Sequence, residues 1–225
     1  MLIYDVHLHS VGCESGGILI GLEGEPFHEG VYSNSDLERI VRENPQYMAA
    51  YYITKEFNRV PCERVLKYHP RREGYSSEEV INDLRTRECK LCIIDTLYTP
   101  VWQPLDYYKV VNSFPRIMFI FAHMGGYDIF ELMKIFEFNK NVYADFSLTQ
   151  EYFGWCGTTI TPLNFIVDMI DYCLANTKLR SRILYGSDFP FYSQKLSLEK
   201  YLSYPNIDDV LSKNFLNLKR KIQCI

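Results

Sequence analysis

His7-Leu8-His9 is the pair of residues in this chain best suited to hold a metal ion. It ends an apolar run, Met1-Leu2-Ile3-Tyr4-Asp5-Val6, that reads as a strand. Side chains alternate along a strand, so Asp5, His7 and His9 are expected on one face and Tyr4, Val6 and Leu8 on the other. Two imidazoles two residues apart on a strand can both reach one divalent cation. The chain has only five histidines, and two of them are spent here.

Further polar residues stand at the ends of other apolar runs. Lys67 and His69 end the run that starts at Val65, and alternation puts all three on one face. Asp95 ends Leu91-Cys92-Ile93-Ile94. His123 ends the run from Ile117 to Ala122 and is followed by Met124-Gly125-Gly126. Asp145 and Ser147 end the next run, and Gly186-Ser187-Asp188-Phe189-Pro190 ends the last. In barrel enzymes the chemistry sits at the C-terminal ends of the strands. Four of the five histidines fall at such ends, which random surface placement would not give.

The elements that must position these groups alternate strand and helix. Strands are expected at Leu2–Val6, Gly17–Gly21, Met48–Ile53, Arg64–Tyr68, Leu91–Ile94, Arg116–Ala122, Asn141–Phe146 and Arg182–Tyr185. Helical patterns fill Ser35–Asn44, Ser77–Arg87, Pro104–Ser113, Tyr127–Phe138, Pro162–Asn176, Gln194–Tyr201 and Ile207–Lys213. Ser33 and Ser76 are placed as helix caps, and Pro162 as a first helical residue. The pattern argues an α/β fold with parallel strands, and eight strands allow a closed barrel. The glycine-rich segment Ser10–Tyr32 lacks a helical pattern, so the first crossover helix is short or missing. No repeat or linker divides the chain, and residues 1–225 read as one domain.

Composition excludes several functions. A formal charge of −4 gives no electrostatic case for nucleic acid or an anionic membrane. No apolar stretch is long enough to span a bilayer, and the first residues lack the basic start of a signal peptide. The seven cysteines are odd in number, and the single CxxC, Cys89 and Cys92, has no second pair. Buried reduced thiols in a reducing cytoplasm are the expectation. The partner expected is a small-molecule substrate, and the chain is also compatible with a homodimer.

Asp5-Val6-His7-Leu8-His9, Phe121-Ala122-His123-Met124-Gly125-Gly126 and Tyr185-Gly186-Ser187-Asp188-Phe189-Pro190 together resemble the amidohydrolase superfamily. They look like its amidohydrolase-related branch, which includes aminocarboxymuconate semialdehyde decarboxylase. Phe114-Pro115-Arg116 and Leu211-Ser212-Lys213-Asn214 also resemble that branch. The resemblance implies a distorted (β/α)8 TIM barrel. It implies a divalent metal, most often zinc, on His7, His9 and Asp188, with His123 as acid/base or orienting group and Asp188 as proton acceptor. Imidazole nitrogen and carboxylate oxygen suit Zn²⁺. The reaction implied is hydrolysis of a C–N or C–O bond by a metal-activated water, or non-oxidative decarboxylation.

The chain departs from that branch at strand five, where a metal-binding histidine is usual and Asp95 stands instead. With His7, His9, Asp95 and Asp188 as ligands, a zinc site is neutral overall, activates water less, and also tolerates Mn²⁺. A turn or outer role for Asp95 is an equal alternative. His69 is an alternative ligand, although His69-Pro70-Arg71-Arg72 also reads as a solvated turn. Lys67 reads as a structural ion pair, His28 as an exposed loop residue. Arg71 and Arg72 either hold a substrate carboxylate or are solvated surface. Tyr98, Trp102, Tyr152, Phe153, Trp155, Phe189, Phe191 and Tyr192 are placed for an aromatic pocket mouth. Two other functions compete: a non-catalytic barrel with a degraded metal site, and a histidinol-phosphatase-like phosphoesterase, which normally needs more histidines.

Overall fold

The computed structural model describes residues 2–12, 16–24, 30–97, 101–149 and 163–224. Eight parallel strands follow one another around a single sheet: β1 (Tyr4–Leu8), β2 (Gly16–Ile20), β3 (Tyr47–Tyr52), β4 (Val65–Tyr68), β5 (Leu91–Asp95), β6 (Met118–Ala122), β7 (Val142–Asp145) and β8 (Ile183–Leu184). Backbone bonds from β1 to the chain after β8 close the ring. Val6 donates to the Tyr185 carbonyl at 2.9 Å, Asp188 to that of His7 at 2.8 Å, and His9 to that of Phe189 at 2.7 Å. The expected eight-stranded α/β barrel is therefore the fold, and every expected strand is found within a few residues of its expected bounds.

The helices are α1 (Asn34–Glu43), α2 (Pro70–Glu73), α3 (Ser77–Leu84), α4 (Pro104–Ser113), α5 (Ile129–Phe138), α6 (Leu163–Ala175), α7 (Thr177–Arg180), α8 (Gln194–Leu202) and α9 (Asn214–Cys224). Ser33 caps α1 and Ser76 caps α3, each in a reciprocal box with the acid three residues on, Asp36 and Glu79. Among the described residues between β1 and β2 none is helical, as the sequence led one to expect. The two strands instead lie so close that Gly17 is obligatory. A Cβ there would fall 1.8 Å from the Asp5 carbonyl oxygen, and its φ is +151°. Among the described residues, no helix is long and apolar enough to cross a membrane.

Two apolar layers hold the barrel. The inner one takes residues from all eight strands: Val6, Ile18, Ile20, Ala50, Val65, Leu91, Ile93, Ile120, Ala122, Tyr143 and Leu184. Phe215, Leu218 and Ile222 of α9 join it, and Phe215 stacks on Tyr4 at 5.1 Å. Tyr4 starts β1, so α9 plugs the end of the barrel opposite the strand C-termini. Asn214 ties this helix to β8 by donating to the Ile183 carbonyl at 2.8 Å. Truncating Phe215 to Ala should cost roughly 3–5 kcal/mol. The outer layer packs Leu19, Leu66, Cys92, Ile94, Phe119 and Phe121 against helix residues such as Leu37, Val80, Val110 and Leu132. The sequence pattern places the last helix at Ile207–Lys213, and α9 lies beyond it. The Phe215, Leu218 and Ile222 spacing is helical and was the available signal.

Candidate functional site

The inner layer fixes which side chains reach the open end. Val65 faces inward, so Lys67 two residues on does too, and the same step leads from Ile93 to Asp95 and from Tyr143 to Asp145. Asp188 lines the pocket from the segment after β8. Two strands break this parity. On β1, Val6 is in the inner layer and Leu8 in the outer one, because the pairing with β2 shifts between Asp5 and Leu8. The irregularity re-aims His7 and His9 into the barrel mouth. Asp5 does not join them, contrary to simple alternation. Its carboxylate accepts from the backbone N–H of His7 (3.0 Å) and Ser187 (3.1 Å) and from Gln194 Nε2 (3.1 Å), clamping β1 to the segment after β8. On β6, Ala122 faces inward, and the left-handed backbone of His123 (φ 65°) turns its ring back into the pocket. Asp188 is left-handed as well (φ 63°). Non-glycine residues held there carry local strain, which concentrates at functional sites.

The side chains form one buried chain of contacts. His9 Nε2 lies 3.2 Å and His7 Nε2 3.3 Å from the same oxygen, Asp188 Oδ1. The rings of His7 and His123 are 4.7 Å apart. His123 Nε2 lies 3.4 Å and His69 Nε2 3.3 Å from Asp95 Oδ2. Ligand atoms of His7, His123 and Asp188 all lie within 4.8 Å of one another. So His7, His9, His123, Asp95 and Asp188, scattered over the whole sequence, share one pocket of about 540 Å³.

Hydrogen bonds set the tautomers. His9 Nδ1 donates to the Ile20 carbonyl (3.0 Å) and His123 Nδ1 to that of Ser147 (2.7 Å), since a carbonyl only accepts. His7 Nδ1 faces Asp145 Oδ2 at 3.4 Å and Ser147 Oγ at 3.0 Å. With Nδ1 so engaged, the Nε2 atoms of His7 and His9 face a carboxylate oxygen. Imidazole lone pairs facing a carboxylate oxygen repel it, and a divalent cation among them would relieve that. The residues whose ligand atoms lie within 4.8 Å of one another are His7, His123 and Asp188, with His9 beside Asp188. Orienting partners behind each Nδ1 are what histidine ligands need. The donor set fits a zinc-like ion.

Electrostatics agree with that geometry. Burial lowers the His7 pKa to about 4 despite Asp188 and Asp145 beside it, so the ring is neutral at pH 7. Burial lowers His69 to about 3 against the pull of Asp95. Burial alone would raise Asp188, Asp95 and Asp145, but the neighbouring imidazoles hold all three below the usual carboxylate range, Asp145 at about 2. His123 differs. Burial opposes its charge, yet Asp95 foremost, then Asp188 and Asp145, hold its pKa above the ordinary value.

Several sequence expectations change. His69 is no solvated turn: it lines the pocket with its side chain 14% exposed, on Asp95. Lys67 makes no structural ion pair within hydrogen-bond reach; its Nζ is buried without a partner among the described residues. Trp102 is not at the pocket mouth but buried, donating to the Tyr75 carbonyl at 2.8 Å. Phe191 does line the pocket, whereas Phe189 packs on the outer core. His28, Tyr98, Tyr152, Phe153 and Trp155 lie outside the described residues. Sequence reading gave Asp145 and Ser147 no role, because their partner His7 lies on the far side of the chain and adjacent only across the closed barrel.

The comparisons with known proteins agree with the architecture. The amidohydrolase family model matches residues 89–214, more than half of the chain. None of the curated proteins searched matches. An uncharacterised TIM-barrel protein from Bordetella bronchiseptica is 17% identical and superposes with a TM-score of 0.69 over 92% of this chain and 78% of its own. Two further structures match at lower TM-scores. A 2,6-dihydroxybenzoate decarboxylase complexed with 2,6-dihydroxybenzoate is 11% identical, with a TM-score of 0.44 over 85% of this chain and 75% of its own. The 5-carboxyvanillate decarboxylase LigW from Sphingomonas paucimobilis is 9% identical, with a TM-score of 0.40 over 84% and 71%. With the barrel, the histidine pair on β1 and the matched span from β5 to the start of α9, this chain belongs to the amidohydrolase family.

Proposed function

We propose that this protein is a metal-dependent hydrolase that cleaves a C–N or C–O bond of a small molecule. The observation that carries the reading is the convergence of His7 Nε2 and His9 Nε2 on Asp188 Oδ1 at the floor of the pocket, with His123 beside them. His7, His9 and Asp188 would hold one divalent ion, with Asp95 as the further carboxylate from β5. Zinc suits the imidazoles, and the second carboxylate extends tolerance to manganese. Such an ion supplies Lewis-acid polarisation and lowers the pKa of a water toward about 7.

The residues divide the remaining work. Asp188, ionised at neutral pH, accepts the proton that the attacking water loses. His123, whose pKa is raised, donates from Nε2 to the departing nitrogen or oxygen, and the proton on Asp188 restores it afterwards. Asp95 holds the His123 ring in place and favours its charged form. Leu22, Leu97, Leu148 and Phe191 form the apolar part of the lining and exclude bulk water.

Decarboxylation is the second reading, favoured by the same raised pKa of His123: an imidazolium in a buried pocket can protonate the carbon that carbon dioxide leaves. Products separate the two. Release of carbon dioxide supports decarboxylation, and a new acid with an amine or alcohol supports hydrolysis. The founding test is elemental analysis of purified protein. Stoichiometric metal lost in a His7→Ala/His9→Ala variant is expected, and metal retained in that variant removes the reading.

A further inference from the structure

Lys67 takes no part in the chemistry above, yet it is the most deeply buried basic side chain of the pocket. It is 1% exposed, and its Nζ has no hydrogen-bond partner among the described residues. An ammonium donor buried without an acceptor is costly unless something else completes it. Burial pushes the Lys67 pKa down, and Asp95, Asp145 and Asp188 oppose that only in part. None of them hydrogen-bonds to it, so its charged form lacks a partner among the described residues. Asp95 is already engaged by His69 and His123.

Arg71 stands on the same wall, in α2 just beyond β4. Its Nε is 3.7 Å from Asp95 Oδ1, too far for a hydrogen bond, and its side chain is 39% exposed. Arg72 differs: its Nη2 donates to the Glu23 carbonyl at 2.5 Å and its guanidinium lies over the Tyr52 ring, which makes it part of the frame. The pocket is therefore asymmetric. Donors of Lys67 and Arg71 occupy its β4 side, and Leu22, Leu97, Leu148 and Phe191 supply apolar surface.

We propose that the β4 wall is a carboxylate-binding subsite, in which Lys67 from within and Arg71 at the rim hold a carboxylate of the substrate while its apolar body lies against Leu97, Leu148 and Phe191. The inference rests on the reading of this pocket as an enzyme site and adds the class of substrate, a small apolar monocarboxylate. A singly charged group suits the wall better than a phosphate. Asp95 beside Lys67 and Arg71 repels a dianion, and α2 is a single turn with no cradle of backbone donors. An anion between Lys67 and Arg71 favours the charged form of the buried amine and offsets the repulsion from Arg71.

The test is binding of benzoate, benzamide and inorganic phosphate, followed by ligand-detected NMR on the protein as purified and after chelator treatment. The wild type should bind benzoate more tightly than benzamide. Lys67→Met and Arg71→Gln should each weaken benzoate roughly tenfold, the scale of a lost charge-assisted bond, and leave benzamide unchanged. The contrast should survive chelation. Arg71→Gln changes a rim residue and keeps the test decisive if Lys67→Met does not fold. Equal affinity for benzoate and benzamide, no saturable benzoate binding, variants without effect, or phosphate bound better than benzoate would each overturn the subsite. If benzoate affinity vanishes on chelation and ignores both variants, the carboxylate sits on the ion, and the subsite fails while the metal site stands. If no metal is found but the variants act as expected, the subsite stands and the metal-dependent reading fails.

Discussion

His7 and Asp188 meet twice across the seam that closes the barrel. The Asp188 backbone N–H donates to the His7 carbonyl at 2.8 Å, and the Asp188 carboxylate lies 3.3 Å from His7 Nε2. The backbone contact closes the fold, and the side-chain contact builds the site. The two can be separated. In Asp188→Asn the backbone bond stays and the carboxylate charge goes. Circular dichroism and thermal unfolding should change little, while metal affinity should fall on the order of 10²-fold or more, beyond the usual loss for removing an outer partner of a ligand. A drop in both together would mean that the side chain also holds the seam.

His123 is placed to move a proton. His123→Asn should keep the metal and lower kcat by about 10²–10⁴-fold. An acid acts only while protonated, so activity that depends on it fades as pH rises through its pKa, which Asp95 and the other carboxylates hold above the ordinary histidine value. The alkaline limb of the wild-type pH–rate profile is therefore expected above about 6.5. Loss of metal from His123→Asn would instead make it a ligand, which its place within 4.8 Å of His7 and Asp188 allows.

The positions of strands and the polar residues at their ends were legible because apolar runs and their terminators are local signals. The facing of three histidines was not. A strict period of two puts His7 opposite Val6, and only the irregular pairing between β1 and β2 brings His7 to the mouth. His123 reaches it only through left-handed backbone that no propensity would assign to histidine. Asp145 and Ser147 were visible as polar strand-end residues, but what they orient depends on closure of the ring. For Lys67 the sequence shows a basic group that an ion pair would suit, and not the distance to its partners.

Stability of metal-stripped protein should depend on pH in a defined window. His7 and His69 are neutral in the fold, with pKa values lowered from 6.5 to about 4 and about 3. Unfolded, they bind protons from about pH 6.5 downward, so their contribution is complete above that value and is lost as pH falls through 6.5 toward 4. Each pKa unit is worth about 1.4 kcal/mol, so each of these two rings should cost on the order of 3 kcal/mol by pH 4. His123 works the other way: with a raised pKa, it stabilises below 6.5 and loses that as pH rises. Denaturant midpoints at pH 7 and pH 4.5 should differ, and His7→Gln should reduce the difference. An unchanged gap in that variant would place the proton uptake elsewhere.

Asp95 is where the chain leaves the pattern its motifs resemble. It faces His69 and His123 through Oδ2 and Arg71 through Oδ1, so it balances the cationic side of the pocket while standing within reach of a bound ion. A carboxylate near the ion holds it more firmly and leaves a coordinated water less acidic. Asp95→His should therefore still bind zinc, more weakly, and should shift the acidic limb of the pH–rate profile downward. Removing the charge also leaves Lys67 and Arg71 unopposed on that side, which acts in the same direction. Asp95→Asn isolates the second role. It keeps the shape, removes the charge that favours protonated His123, and should move the alkaline limb downward as well. Zinc content measured beside both profiles decides what Asp95 does. If Asp95→Asn keeps wild-type zinc affinity and moves only the alkaline limb, Asp95 serves His123 and does not ligate. If neither limb moves in either variant, Asp95 tunes nothing in this site.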